Sequence, residues 1–84
     1  MLIYVIEAKV VGPHSLELTF NDGTQKRVNL WRSLWGEMFE PLRDPAYFAR
    51  VQVNEWTVFW PNGADFAPEY LFELEPESLP AVEA

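Results

Sequence analysis

Asn62, Asp65 and Glu69 carry side-chain oxygens three and four residues apart, at a turn that leads into a helix. Oxygen donors of this kind suit a hard cation such as Mg²⁺ or Ca²⁺. A carboxylate here could also move protons as an acid or base. No calcium-loop spacing accompanies them, however, and Asn-Gly followed by a helix-leading Asp is what ordinary turn chemistry requires. The favoured reading is structural, with Asp65 satisfying backbone amides at the start of the last helix, where the dipole welcomes a carboxylate. A metal-dependent or acid/base site around Asn62, Asp65 and Glu69, in an enzyme or a small-ligand binder, stands as the alternative.

Other reactive constellations fare worse. His14 is the only histidine, and its neighbour Ser15 would point to the opposite face of a strand, so they make no nucleophile–base pair. His14 reads as a turn residue. Glu37 and Glu40 have a spacing too common to argue paired-carboxylate chemistry. There is no cysteine, which excludes disulfides, thiolate metal sites and cysteine nucleophiles. Gly12, Gly23, Gly36 and Gly63 are isolated, so no phosphate-cradling loop is present. No catalytic residue, metal ligand or cofactor is assigned, and the expected class is a non-enzyme.

Charge and aromatics point toward binding. The 84 residues carry a net charge of −7, and all of it lies beyond residue 50. Up to Arg50, acids and bases cancel; beyond it stand Glu55, Asp65, Glu69, Glu73, Glu75, Glu77 and Glu83 with no base. Such a half repels phosphate backbones, so no direct nucleic-acid partner is expected, while a small basic protein would be attracted. Four Trp, three Tyr and six Phe are a heavy load for one small domain. Most should be core, yet aromatics on both faces of the stretch Trp56–Trp60 exceed what a domain this size can cover. The expected partner-binding surface is Trp56, Trp60, Asn62, Gly63, Asp65 and Phe66, used for a basic partner or, through this face or an edge strand, for a homodimer.

The elements that position these residues read as α+β: an antiparallel sheet from an N-terminal β-meander and a second hairpin, packed with two or three short helices. Leu2, Tyr4, Ile6, Ala8 and Val10 make the apolar face of a first strand, and Leu16, Leu18 and Phe20 that of a second. A three-residue Asn21-Asp22-Gly23 loop pairs Leu18 with Lys26 and Leu16 with Val28. A two-residue loop would turn Phe20 to the polar face. In the first hairpin Val10 falls opposite Leu16 and Ala8 opposite Leu18. Asn29 would cap a short helix over 30–35, with Trp31, Leu34 and Trp35 on its sheet-facing side. Asp44-Pro45 opens a second helix to Arg50, with Phe48 and Ala49 inward. A second hairpin is expected about a two-residue Asn54-Glu55 loop, placing Val53 opposite Trp56 and Val51 opposite Val58. Pro68 starts the last helix. The domain is expected over 1–74, and 75–84 as an acidic, disordered tail. The N-terminal run reads as a strand and not a signal peptide, and no apolar run is long enough for a membrane helix. The expectation is a cytoplasmic protein without a membrane partner.

Three segments together carry a family resemblance: 18–23 (Leu-Thr-Phe-Asn-Asp-Gly), 39–48 (Phe-Glu-Pro-Leu-Arg-Asp-Pro-Ala-Tyr-Phe) and 60–69 (Trp-Pro-Asn-Gly-Ala-Asp-Phe-Ala-Pro-Glu). Over residues 4–74 the chain resembles the bacterial family called domain of unknown function 2442. The resemblance implies a compact α+β fold, alone or fused to a helix-turn-helix domain. Its genes often neighbour small genes in an arrangement like toxin–antitoxin pairs. It implies no established activity or cofactor, so it lends no catalytic residue. The functional expectation is an uncharacterised protein-binding module, antitoxin-like or an accessory domain of a regulator.

Overall fold

The computed structural model describes residues 2–77. Strands β1 (Val5–Gly12), β2 (Ser15–Phe20) and β3 (Gln25–Asn29) form an antiparallel meander in that order. Two 3-10 turns, Trp31–Ser33 and Glu40–Arg43, lead to the one-turn helix α1, Pro45–Phe48. A small hairpin of β4 (Gln52–Val53) and β5 (Val58–Phe59) makes its own two-stranded ladder, and α2 (Pro68–Glu73) follows. The architecture is the α+β arrangement of meander, hairpin and short helices.

The meander registers follow from the period-two constraint. Val10 lies opposite Leu16, Ala8 opposite Leu18, Leu16 opposite Val28 and Leu18 opposite Lys26. The β2–β3 loop has three residues: Phe20 N–H donates to Thr24 O at 2.8 Å and Gly23 N–H to Phe20 O at 2.9 Å. Gly23 takes φ +90°, a left-handed conformation that a Cβ would strain. The Asp22 carboxylate accepts from Thr24 N–H at 2.9 Å, which fixes the bend.

The same loop is built a second time. Trp60 N–H donates to Ala64 O at 2.9 Å and Gly63 N–H to Trp60 O at 2.8 Å. Gly63 has φ +90°, and Asn62 Oδ1 accepts from Ala64 N–H at 3.0 Å. Phe20-Asn21-Asp22-Gly23 and Trp60-Pro61-Asn62-Gly63 thus fold alike, because each offers an Asx acceptor followed by a glycine free to reach positive φ.

Several expectations change. A bulge lies between Val5 and Glu7, so Val5 is buried against Phe20 while Ile6 is exposed; Leu2 and Val10 are exposed as well. The first strand therefore lacks one continuous apolar face. The second hairpin pairs Val53 with Val58 and Gln52 with Phe59 across four residues, not two. Asn54 Oδ1 accepts from the N–H groups of Trp56 and Thr57, and this wider loop avoids forcing Glu55 to positive φ. The helix expected over 30–35 is only the first 3-10 turn; Leu34 is buried but Trp35 is exposed. Asn29 still serves it, its Oδ1 accepting from Trp31 N–H at 3.0 Å. Asp44 caps α1 through Ala46 N–H as expected, but the helix ends at Phe48 and Ala49 faces outward.

The chain does not leave the body at Leu74. Lys26 Nζ donates to the carbonyls of Phe72 and Leu74 at the end of α2, a cation where the helix dipole is negative. Glu77 N–H donates to Arg27 O on β3 at 2.6 Å, and its carboxylate, 6% exposed, accepts from Arg27 Nε at 2.7 Å and from Ser15 Oγ. Residues 75–77 thus belong to the domain; 78–84 lie outside the described residues.

The core joins the meander's inner face (Val5, Leu16, Leu18, Phe20, Val28) to Leu30, Leu34, Leu42, Phe48, Val58, Trp60 and Leu71. Trp60 stands at 0% exposure and donates from Nε1 to Phe48 O at 2.9 Å. Replacing it by Phe removes this bond while Phe48 O still accepts from Val51 N–H at 3.2 Å, and equilibrium denaturation should show a loss of about 0.5–1.5 kcal/mol from the missing bond. A second prediction concerns Asp22, whose carboxyl is held below its ordinary value first by the Thr24 backbone N–H. The stability it lends is present above the ordinary carboxylate range and is lost as pH falls through the lower folded value. A titration of Asp22 followed by NMR should give a midpoint below 3.8, and a midpoint at or above it would contradict the bond.

Candidate functional site

The expected surface does not stay together. Trp60 is buried and cannot touch a partner. Trp56 is exposed but lies elsewhere, stacked on Tyr4 with ring centroids 5.9 Å apart, and its carbonyl accepts from Val5 N–H. Phe66 is buried. Asn62, Gly63 and Asp65 remain at the surface.

Asn62 is committed to two bonds: its Oδ1 accepts from Ala64 N–H at 3.0 Å within the turn, and its Nδ2 donates to Met38 O at 2.9 Å. Asp65 forms an isolated bridge with Phe59 and does not cap α2, whose N-cap is Ala67 with Pro68 at the first helical position. Its expected capping role is thus corrected; proline removes one of the amides that would need an acceptor. Among the described residues no group of three or more His, Asp or Glu side chains is gathered as a metal would require.

The structure instead brings Phe66 against residues from two other segments. Its ring stacks on Phe39 at 4.8 Å and on Tyr70 at 5.8 Å, and meets Trp60 edge-on at 5.9 Å. Phe39, Phe66 and Tyr70, with Ser33 and Trp35, line a groove of about 260 Å³. Ser33 Oγ and Tyr70 Oη lie 2.7 Å apart and tie the first 3-10 turn to α2 across it. Trp35 is 72% exposed at the groove's mouth. It stands there because the turn ends at Leu34 and Gly36, with φ +88°, reverses the chain immediately after it.

Met38 is also exposed and connects this groove to the Asn62-Gly63 turn. Its carbonyl holds Asn62, and a Cβ built on Gly63 would come within 3.3 Å of its methyl group. The expected turn residues Asn62 and Gly63 are therefore neighbours of the aromatic site, although the tryptophan that marks it is Trp35. The sequence carried a signal for this in Trp35-Gly36, since a residue just before a chain-reversing glycine can escape its helix face. Acids sit on the same segments. Glu37, Glu40 and Asp44 with Pro41 line a shallow depression, and exposed Glu69 and Glu73 flank Tyr70 along α2. The Arg43 guanidinium is engaged by Leu34 O and the Trp31 ring.

His14 lies in the β1–β2 turn as expected, and the turn carries it into the interior. It is 4% exposed, its Nε2 lies 2.7 Å from Arg43 O, and its ring packs on Trp31 and Phe48. It is part of the core that supports the 40–43 turn.

Residues 5–77 match the family described as Protein of unknown function (DUF2442). The chain belongs to this family. No curated protein and no solved structure gives a match. No helix among the described residues of this DUF2442 domain is long and apolar enough to cross a membrane.

The division between wall and floor is open to measurement. Trp35→Ala should change stability by less than about 0.5 kcal/mol, as for exposed substitutions generally. Asn62→Ala, which removes bonds to two segments, should cost about 1–2 kcal/mol in the same denaturation experiment.

Proposed function

We propose that this DUF2442 domain is a non-enzymatic protein-binding module whose recognition surface is the Trp35–Phe39–Phe66–Tyr70 groove. Its partner would be a basic protein segment bearing an apolar anchor. The observation that carries this reading is the exposure of Trp35 over a groove with a rigid aromatic floor. Trp and Tyr at the mouth of a well-packed pocket are the side chains that dominate protein–protein affinity. The volume of about 260 Å³ lies below the roughly 300–1,000 Å³ typical of drug-sized ligand sites. It suits one apolar side chain from a protein better than a cofactor.

Glu37, Glu40, Asp44, Glu69 and Glu73 supply a negative setting that steers and selects a Lys/Arg-flanked anchor. An antitoxin-like protein holding a basic toxin, or an accessory domain of a regulator, would use a surface of this kind. Asn62, Gly63 and Met38 shape its border.

Short peptides carrying one Leu or Phe between lysines are the probe, with the same anchor between glutamates as the control. Amide shifts followed by NMR should move at Trp35, Phe39 and Tyr70 with the basic peptides only. Binding should weaken with salt, and Trp35→Ala should reduce it by about tenfold or more while the fold stays intact. Equal response to both peptides, or shifts confined to other surfaces, would overturn the reading.

A further inference from the structure

The meander has two edges, and they are treated differently. The β3 edge is met by the C-terminal segment, where Glu77 N–H donates to Arg27 O and Lys26 reaches back to α2. β1 is the other end strand of the sheet; there Val5 N–H is taken by Trp56 O and β4 packs against part of the strand, yet the side chains of Ile6, Glu7, Lys9 and Val10 are exposed. Ile6 is 54% and Val10 42% exposed, high values for aliphatic side chains on a strand. An open edge strand is a template for pairing with another strand.

The sequence of that edge is self-complementary. Ile6-Glu7-Ala8-Lys9-Val10 reads apolar, acid, alanine, base, apolar about its centre. We propose that the protein forms a two-fold dimer by antiparallel pairing of β1 with β1 of a second copy, centred on Ala8. In that register Glu7 lies opposite Lys9 of the second copy, Lys9 opposite its Glu7, and Ile6 and Val10 opposite each other in both halves. Opposite charges directly across a strand pair stabilise it, and like charges destabilise it. A shift of the centre to Glu7 or Lys9 would set like charges face to face, and a shift to Ile6 or Val10 would leave both charges without an opposite partner, so charge pairing favours Ala8. Within each copy Lys9 already lies opposite Glu17 and Glu7 opposite Thr19. The joined sheet would carry Glu17, Lys9, Glu7 and Thr19 across the dimer axis as an alternating row. The two-fold makes the contact isologous and closed, so it ends at a dimer of continuous six-stranded sheet.

The occupant is thus a second copy, and the charge pattern permits a direct test by sedimentation or light scattering. Wild type should dimerise in a concentration-dependent manner and less so at high salt. Glu7→Lys places lysine at 7 and 9, Lys9→Glu places glutamate at both, and each variant alone should self-associate at least about tenfold more weakly. An equimolar mixture of the two should recover the dimer, because every pair across the axis is again opposite in charge.

A charge-independent check uses the absence of native cysteine. Directly opposed Cα atoms in an antiparallel pair lie about 4.5–5.5 Å apart, within disulfide reach. Ala8→Cys should therefore cross-link to a dimer under mild oxidation. Circular dichroism confirms that each variant is folded. Trp35→Ala should leave dimerisation unchanged, which separates this contact from the groove. A wild type that stays monomeric would overturn the proposal, leaving Glu7, Lys9 and the bulge as guards of the edge. Single variants that associate like wild type, or a dimer abolished by Trp35→Ala, would also overturn it.

Discussion

The Trp60 indole is the constraint on which the rest depends. It ends the small hairpin, enters the core at full burial, and donates to the carbonyl of Phe48, the last residue of α1. A bulky aromatic removes a large area from water only if its one polar atom finds a partner. The bond to Phe48 provides that partner, and it fixes the hairpin relative to the segment that precedes it. From Trp60 the ring contacts run to Phe48, His14 and Trp31 on one side and to Phe66, Phe39 and Tyr70 on the other. Rings from five separate stretches of chain are held in one series.

This series substitutes for regular structure. α1 and α2 are one and two turns long, and β4 and β5 have two residues each. Helices this short are not stable by themselves. Their ends are held by side chains: Asp44 at the start of α1, Lys26 at the end of α2, and Asn54 and Asn62 in the loops. The domain is therefore a sheet with a largely irregular aromatic layer whose backbone is satisfied piece by piece.

An irregular layer cannot cover every aromatic. The groove at Phe66 opens where the first 3-10 turn stops short, and the Ser33–Tyr70 bond keeps it from collapsing. The exposed β1 edge arises separately, from a bulge that turns Ile6 outward after Val5 has gone inward. As proposed, the first surface would take a foreign segment and the second a copy of the chain. A dimer through β1 would carry two such grooves and bind a repetitive partner with gain from multivalency.

The sequence by itself determined the α+β class, the meander registers and the family. These rest on local constraints: side-chain alternation of period two allows one loop length at Asn21-Asp22-Gly23, and only an Asx-Gly pair makes that loop. The Asp44 cap and the helix start at Pro68 were legible for the same reason. The Asn54 loop was not, since Asn54 Oδ1 can close a longer turn that no dipeptide signal announces. Which tryptophan is buried was decided by the tertiary structure alone. Trp60 has a carbonyl within reach from a helix twelve residues earlier, and Trp35 precedes a reversing glycine with nothing packed above it. Composition and spacing treat the two alike; burial depends on what non-local segments bring to each ring, and so does the place where a partner can bind.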